Sequence, residues 1–551
     1  MSVFIGYPSF MAYQMMKGKK GNNDGFPSIP GMIARYSALG LTNEEMSKNP
    51  VWVDKTGMGH DLQMKNFAWG GMSGVGGYNQ NFNQYFVGVD ESNKTVSDSS
   101  MKLVLLESDS QKVIYDRNSY QIGHTYNFYI KVTGIEGRIL NVNAGTLGGR
   151  IMSITEDGIY SINVTVSDSW GQNRLYLIFP PSSSSNTVTI EQLSLYPGAL
   201  VFDGVDDYGV CENFPILTKE KGYTVVALRQ WITYNPNAIS AIATNASDRS
   251  FNGAFTFENY NKGAEQTISY GATQISLHSK SPFSWQTTSK YNGVNIANGN
   301  KDATNSLVLG RSYPQRNEFA NFAIWELVFL DHDATEEELT KIKDYFVKTY
   351  PWLFPDQAWT VVGKTNEDKD RATIANITGN GNDLILSNFG FAEGSGYNEQ
   401  GEYAGYLVTD GVDDKIVSSV FGMGKDFTIV GDWKLINTGK NDNAGIVKFD
   451  SIVIYNYNPI LINIKNGRNN LIPDQNTVNA ICSDGRIYSK DWKESIYNEE
   501  TESTSKNLLT IGYSGNIYTK IAFKNLAIYP TVLSKEDCIK AYNYLQTLKA
   551  K

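Results

Sequence analysis

Cysteine, histidine and positive charge are all scarce in this 551-residue chain, and each shortage excludes a class of protein. The three cysteines, Cys211, Cys482 and Cys538, are odd in number and show no CxxC spacing, which argues against a disulfide framework or a zinc site. No apolar run approaches the ~18 residues that a membrane span needs. With a net charge of −9 and a pI near 5.2, nucleic acid is not expected as a main partner.

Catalytic patterns are scarce as well. The four histidines (His60, His124, His278 and His332) form no HExxH and no close pair. The nearest approach to acidic residues alternating along a strand is Glu107-Ser108-Asp109, which continues without a further glutamate. We therefore expect no catalytic residues. A glycosidase stays an alternative, because sequence does not give the distance between two carboxyl groups.

A secretory signal is not expected either. The segment 1–16 is apolar and aromatic, but its charges (Lys17, Lys19 and Lys20) follow the apolar part instead of preceding it. The chain is therefore expected to be made in the cytoplasm, and any role outside the cell would depend on an assembly that takes it there.

Tyrosine and glycine are abundant, with 33 Tyr and 50 Gly, and aromatic residues make up 12% of the chain. Short alternating runs, such as 429–435 and 521–529, are bounded by Gly, Asn, Asp or Pro. This pattern is typical of antiparallel β-sandwiches, so the sequence predicts an all-β fold.

Two long stretches of the chain match each other through several anchors in the same order, which indicates an internal duplication. The anchor pairs are FDGVDDY at 202–208 with TDGVDDK at 409–415, TGMGHDL at 56–62 with TGNGNDL at 378–384, and KGYTVV at 221–226 with KDFTIV at 425–430.

Each copy is predicted to close with a strand and a short helix. The closing strands are paired as Phe322–Trp325 with Asn525–Tyr529. Residues Thr335–Glu338 form a capping box at the start of the first helix, and Ser534 begins the second in a similar way.

The first copy contains a segment that the second lacks, which indicates a folded domain inserted in a surface loop. The predicted organisation is an N-terminal arm (1–33), a discontinuous first sandwich (34–78 and 199–352), an inserted domain (79–198) and a second sandwich (353–551).

The repeated GVDD turns suggest two hypotheses. Closely spaced carboxylates are ligands that Ca²⁺ prefers, whereas Asp-Gly and Asp-Asp also make tight turns in which the side chains bond the local backbone. Because both copies have the pattern, the shared turn is favoured and Ca²⁺ is kept as the possible cofactor. The candidate metal ligands are Asp203, Asp206 and Asp207 in the first copy, and Asp410, Asp413 and Asp414 in the second.

One loop of the predicted insertion has the residue types of a sugar site. Asp168, Trp170, Gln172 and Arg174 lie close together between two predicted strands. Sugar sites stack a ring face on an aromatic side chain and fix hydroxyls with polar groups such as these. The alternative is that Trp170 covers an edge of the core.

The N-terminal arm is apolar and glycine-rich without clear periodicity, so it cannot form a core of its own. Its predicted anchoring residues are Phe4, Tyr7, Phe10 and Tyr13, which would become ordered by lying on a partner. A disordered tail is the alternative.

Three resemblances add to this reading of the residues. FDGVDDY, KGYTVV and the segment FANFAIWELVFLDHDATEEELTKIKDYF at 319–346 resemble a laminin-G/concanavalin-A-like lectin domain, and the resemblance covers both copies. The segments 158–162 and 187–193 of the insertion are similar to carbohydrate-binding-module jelly rolls. The ARYSALGLTNEE and GNGNDL segments resemble virion proteins of bacteriophages that infect gut Bacteroidota.

These features together predict two tandem concanavalin-A-like β-sandwiches, each closed by a short helix, with a jelly-roll β-sandwich inserted in the first. The resemblances imply a non-enzymatic phage virion protein, a head fibre, decoration or tail-associated adhesin that binds host-surface or mucosal glycans. Its expected partners are other virion proteins, through the arm, and further copies of itself. The alternatives are a polysaccharide-degrading tail enzyme and a purely structural capsid or tail component.

Overall fold

The structure is a computed structural model that describes most of the chain. The described residues are 24–78, 82–97, 99–107, 109–116, 125–145, 149–165, 174–218, 220–233, 240–246, 255–260, 266–269, 273–276, 281–296, 303–312, 317–399, 403–436, 445–449, 452–455, 461–464, 468–471, 478–489, 492, 494–496, 504–514 and 517–550.

Antiparallel strands dominate the described residues. Strands β1 to β4 are Met32–Ser37, Val51–Trp52, Leu62–Lys65 and Gly74–Val75. Strands β5 to β14 are Tyr85–Val87, Lys94–Val96, Ser100–Leu105, Lys112–Asp116, Thr125–Thr133, Leu140–Ala144, Arg150–Ile154, Gly158–Thr165, Leu175–Phe179 and Asn186–Gln192. Strands β15 to β26 are Leu200–Asp203, Tyr208–Cys211, Thr224–Thr233, Ser240–Ala246, Thr256–Tyr260, Gln266–Ser269, Thr273–Ser276, Phe283–Thr287, Lys290–Tyr291, Val294–Asn295, Ala303–Leu309 and Asn321–Leu330.

The remaining strands belong to the C-terminal part. Strands β27 to β46 are Gln357–Thr360, Thr373–Ile374, Leu384–Ser387, Gly396–Tyr397, Leu407–Val408, Lys415–Ser418, Phe421–Met423, Thr428–Leu435, Gly445–Phe449, Ile452–Tyr455, Leu461–Ile464, Arg468–Leu471, Val478–Cys482, Arg486–Ser489, Glu494–Ile496, Thr504–Asn507, Thr510–Ile511, Tyr513–Ser514, Ile517–Tyr518 and Ile521–Tyr529. Helices α1, α2 and α3 are Asn43–Lys48, Glu336–Thr349 and Lys535–Thr547.

The two sandwiches have the same strand order. One sheet runs β24-β23-β22-β17-β26-β15-β4 in the first and β41-β40-β39-β34-β46-β31-β30 in the second, with β1 and β27 added on β26 and β46. The other sheet runs β19-β18-β25-β16-β3-β2 in the first and β36-β35-β43-β32-β29-β28 in the second, where β37 and β38 extend it. The inserted domain has two five-stranded sheets, β11-β10-β13-β8-β5 and β12-β9-β14-β7-β6. The predicted all-β fold class is confirmed.

The match between the sandwiches extends to single hydrogen bonds. The Asn43 side chain accepts a bond from the Val75 amide (2.7 Å) and donates one to the Val75 carbonyl (3.2 Å). Asn366 makes the same two bonds with Tyr397, each at 2.8 Å. In each sandwich an asparagine side chain therefore holds the matching edge strand, β4 or β30, through two hydrogen bonds.

The sequence-based pairing of the two closing strands is wrong, because the structure places the match four to five residues earlier in the second strand. Strand β17 pairs Val226 with Val328, and the matching residue of β34 pairs with Ala527. Phe322–Trp325 therefore corresponds to Ile521–Lys524.

Each of the two sandwiches and the inserted domain has a large hydrophobic core among the described residues. One lies in the first sandwich around Trp52, one in the inserted domain around Leu103, and one in the second sandwich around Trp433. The first sandwich is one compact unit, and the inserted domain forms a second unit together with the second sandwich. This grouping has no counterpart in the sequence pattern, and the predicted domain boundaries stay predictions.

Both closing helices begin at the predicted caps. The Thr335 hydroxyl accepts a bond from the Glu338 amide (3.3 Å), and the Glu338 carboxylate accepts one from the Thr335 amide (2.8 Å), which completes the capping box. The Ser534 hydroxyl accepts a bond from the Asp537 amide (3.1 Å). Helices in the described parts of the chain do not reach the length and apolar character of a membrane span.

The core of the first sandwich contains a buried ion pair. Arg229 donates to both Glu258 carboxylate oxygens, through Nε at 2.6 Å and Nη2 at 2.7 Å. The Tyr291 hydroxyl (2.8 Å) and the Trp231 indole nitrogen (3.0 Å) also donate to this carboxylate. Multiple charge-assisted bonds are what allow such charges to be buried.

Candidate functional site

The GVDD turn of the first sandwich is held by its own carboxylates. Asp203 Oδ1 accepts bonds from the amides of Val205 (2.7 Å) and Asp206 (3.4 Å). The buried Asp207 accepts from the Asp203 amide (3.0 Å) and from the Ser73 hydroxyl (2.9 Å). These side-chain to backbone bonds define a tight turn.

The second sandwich repeats the same network. Asp410 Oδ1 accepts from the amides of Val412 (2.7 Å) and Asp413 (3.3 Å). Asp414 accepts from the Asp410 amide (2.7 Å) and from the Ser395 hydroxyl (3.1 Å). The identical bonding supports the interpretation of the repeated motif as a shared structural turn.

Burial shifts the titration of the inner aspartate in each turn. It raises the pKa of Asp207 to about 8 and that of Asp414 to about 6, with smaller contributions from the neighbouring Asp203 and Asp410 charges. In each turn three carboxylate oxygens lie within 4.8 Å of one another. A Ca²⁺ ion would have to compete with the hydrogen bonds that define the turn, so calcium binding stays a prediction.

The predicted sugar-binding loop is only partly within the described residues, because Asp168, Trp170 and Gln172 lie outside them. Arg174 is described, and its guanidinium carbon lies 4.9 Å from the centroid of the Tyr115 ring. A guanidinium over an aromatic face is a favourable cation–π arrangement. Arg174 therefore belongs to an aromatic cluster that the sequence did not indicate.

Tyr115 lies in the middle of a row of aromatic residues that crosses the sheet β11-β10-β13-β8-β5. Phe86 and Tyr176 are its register partners on the two neighbouring strands. The Phe86 and Tyr115 rings stack at 4.8 Å, and the Tyr115 and Tyr176 rings lie 5.8 Å apart. Phe86 is 37% exposed, whereas Tyr176 is buried. We call these three residues the aromatic row.

Polar residues continue the aromatic row on the next two strands. Asn143 is the register partner of both Tyr176 and Arg150. The alternate residues of the same strands, such as Ile114 and Leu177, belong to the core of the inserted domain. The aromatic row and its polar extension therefore lie on the face of the sheet that is turned away from the core.

Sequence reasoning missed the aromatic row because its members are far apart in the chain. Phe86, Tyr115 and Tyr176 lie in continuous apolar runs, YFV at 85–87, VIY at 113–115 and LYLIF at 175–179, so the sequence does not show which face of its strand each ring takes. The register that places the three rings side by side depends on the pairing of separate strands, which a single sequence does not contain.

The predicted anchoring residues Phe4, Tyr7, Phe10 and Tyr13 lie outside the described residues. The part of the arm that follows them is packed on the first sandwich. Asp24 makes an ion pair with Arg35 (2.7 Å), and the Phe26 ring lies 4.0 Å from the guanidinium carbon of Arg35. Strand β1 begins at Met32, so the predicted boundary between residues 33 and 34 falls inside this strand.

Asp109, one of the two alternating acidic residues in Glu107-Ser108-Asp109, has a structural role in the inserted domain. Asp109 accepts a bond from the Leu106 amide (2.7 Å) and makes an ion pair with Lys112 (3.1 Å). His124 and His278 lie outside the described residues. The absence of catalysis stays an expectation.

No family model matches the chain, and no curated protein does. Solved structures with some likeness include the botulinum neurotoxin type G receptor-binding domain, at 13% identity and a TM-score of 0.22 over 34% of this chain and 50% of that chain. Trypanosoma rangeli sialidase in complex with sialic acid has 8% identity and a TM-score of 0.24 over 82% of each chain. Truncated AlyQ with CBM32 and alginate lyase domains has 9% identity and a TM-score of 0.19 over 61% of this chain and 92% of that chain. At these TM-scores we draw no functional conclusion from the likeness.

Proposed function

We propose that this chain is a non-enzymatic glycan-binding protein and that the aromatic row of its inserted domain is the binding surface. The observation that supports this proposal most directly is the in-register alignment of Phe86, Tyr115 and Tyr176 on an outward sheet face, with the Arg174 guanidinium beside them. Phe86 is exposed at one end of the row, and an exposed aromatic ring matches the apolar face of a sugar ring.

The polar neighbours supply the other half of sugar recognition. The guanidinium groups of Arg174 and Arg150 offer several donors each to hydroxyl groups, and neither side chain is buried. The two guanidinium groups also suit a carboxylate, so uronate-containing glycans are the preferred class for this surface.

Replacing aromatic side chains tests the proposal. Tyr115→Ala is expected to weaken glycan binding by about tenfold, because an aromatic contact contributes up to ~1.5 kcal/mol beyond the area it buries. Phe86→Ala, at the exposed end of the row, is expected to act in the same direction. Binding is measured on an array of neutral and uronate-containing oligosaccharides and then by calorimetry on the best ligand.

Tyr513→Ala is the matched control for these variants. Tyr513 also lies beside a cation, with its ring centroid 5.0 Å from Lys415 Nζ, but it belongs to the second sandwich. Its replacement should leave glycan affinity unchanged. Equal losses in the Tyr115 and Tyr513 variants, or full affinity in both aromatic-row variants, would contradict the proposal. Cleavage of any oligosaccharide would contradict its non-enzymatic part and favour the depolymerase alternative.

The narrower part of the proposal is that the chain is displayed on a phage particle as a head fibre, decoration or tail-associated adhesin. Its support is the resemblance of the repeated segments to phage virion proteins, together with the N-terminal arm, whose residues 1–16 are apolar and aromatic. Other virion proteins are the proposed partners of this segment, and a homo-oligomer is the proposed assembly, as is common for displayed proteins.

Deletion of residues 1–23 tests this narrower part. The truncated chain keeps Asp24 and Phe26, which pack against Arg35, so it is expected to stay folded and to bind glycans as before. Loss of the deleted segment is expected to reduce incorporation into particles strongly, as measured by quantitative mass spectrometry of purified virions. Normal incorporation would show that the arm is not the anchor.

A further inference from the structure

The unit formed by the inserted domain and the second sandwich contains a cleft of 680 Å³. One wall is the outer face of the sheet β12-β9-β14-β7-β6, which is the sheet opposite the one with the aromatic row. The other wall comes from the second sandwich through Trp492 and helix α3. This volume lies within the ~300–1,000 Å³ that is typical of small-molecule sites.

The wall from the inserted domain is polar and has a fixed register. Ser100, Glu191, Lys131 and Ile159 are successive register partners across β7, β14, β9 and β12, so their side chains form one line across the sheet. Lys131 and Glu191 make an ion pair at 3.2 Å, and their side chains are 46% and 43% exposed. Groups that are ordered but still accessible to solvent are available to bond ligand hydroxyls.

The wall from the second sandwich is mainly apolar. Trp492 is buried: it packs edge-to-face on Tyr542 at 5.7 Å and lies 6.1 Å from the Tyr488 ring, which fixes its indole in place. Ile539 of helix α3 lines the cleft beside it. The cleft therefore offers a polar wall and an apolar wall to a ligand that lies between them.

The charges around the cleft are balanced. Lys131 and Lys535 contribute two positive charges, and Asp157 and Glu191 contribute two negative ones. The Asp157 carboxylate accepts a bond from the Ile135 amide (2.9 Å), which holds it in position. A balanced set of charges gives no net attraction for a polyanion, so the cleft suits an uncharged ligand with many hydroxyl groups.

We infer that this cleft is a second saccharide site, selective for an uncharged sugar unit that bonds the Lys131–Glu191 line on one side and packs against Ile539, next to the buried Trp492, on the other. A pyranose ring has this two-sided character, with hydroxyl groups at its edge and C–H groups on its faces. The inference deepens the proposed function and rests on it for the ligand class alone, since the two surfaces share no residues.

Blocking the cleft tests the inference in the full-length chain. Ser100→Trp places a large side chain on the polar wall, and Glu191→Gln removes a charged acceptor without changing its size. Both variants are expected to weaken binding of neutral oligosaccharides at least tenfold and to leave binding of uronate-containing oligosaccharides at the aromatic row unchanged. The control is Thr187→Trp, an exposed residue on the same face of β14 that does not line the cleft.

The outcomes separate this inference from the proposed function. Neutral-sugar binding that survives both cleft variants, or that falls equally in the Thr187 variant, would overturn the inference while leaving the aromatic row untouched. If neutral-sugar binding is lost in the two cleft variants and not in the Thr187 variant, the inference is supported, even if Tyr115→Ala does not change glycan binding. A wild-type chain that binds no oligosaccharide on the array would overturn both.

Discussion

Arg229→Met is expected to lower the free energy of unfolding of the first sandwich by about 3–5 kcal/mol, because it leaves the Glu258 carboxylate buried without its partner. Burial alone would raise the pKa of Glu258, but the adjacent Arg229 charge outweighs that effect and leaves the pKa lowered, so the carboxylate is charged in the folded state. Glu258 also has a φ of +44°, a backbone conformation that a non-glycine residue keeps only when its surroundings enforce it.

The measurement must give the free energy of unfolding of each sandwich separately. Hydrogen–deuterium exchange in increasing urea does so, because peptides from each sandwich are resolved by mass spectrometry. The control is Arg486→Met in the second sandwich, where Arg486 and Asp484 form a partly exposed pair at 2.7 Å. An exposed pair contributes about 0–1 kcal/mol, so its loss should be small. Equal effects of the two substitutions would contradict the assigned role of burial.

The second sandwich suggests how the stability lost in the Arg229→Met variant could be restored. Arg229 corresponds by register to Trp433, and Tyr291 corresponds to Ile487, so the second sandwich fills the same region with apolar side chains. The double variant Arg229→Met/Glu258→Leu leaves no lone charge and is expected to recover much of the lost stability, since apolar replacements of buried ion pairs are often tolerated.

The features predicted correctly from the sequence are local ones. The helix starts at Thr335 and Ser534 follow from hydroxyl side chains that bond amides three residues later. The repeated Asp-Gly-Val-Asp-Asp pattern indicated a turn because the backbone amides that its carboxylates bond lie within four residues of them, whereas the bonds from Ser73 and Ser395 could not be predicted in this way. Bonds between residues this close in the chain can be predicted from a short stretch of sequence.

The features that the sequence did not indicate all depend on distant segments. Phe86 and Tyr176 meet Tyr115 through strand pairing, and Trp492 meets the Lys131 line because the inserted domain packs with the second sandwich. The ion pair of Arg229 and Glu258 joins residues from two sheets. A period of two identifies the face on which each residue lies, but it does not identify the neighbour across the strand.

The stability of the first sandwich is expected to fall as the pH rises from about 4 to about 8 because of the buried Asp207. Burial raises its pKa from 3.8 to about 8, so the folded state favours the neutral carboxyl. The stabilising contribution is complete below pH 3.8 and is lost as the pH rises through about 8. For Asp414, whose pKa is raised to about 6, the corresponding loss in the second sandwich should end near pH 6.

Matched amide substitutions isolate these two titrations. Asp207→Asn should flatten the pH dependence of the first sandwich up to pH 8, and Asp414→Asn should flatten that of the second only up to pH 6, because an amide does not ionise in this range. Repeating the urea series with Ca²⁺ and with excess EDTA tests the alternative hypothesis for the same turns. A bound cation favours the charged carboxylates, so stabilisation by Ca²⁺ near pH 8 would assign the turns to metal binding. Unchanged stability, with the pH dependence removed by Asp207→Asn, would leave them as structural turns.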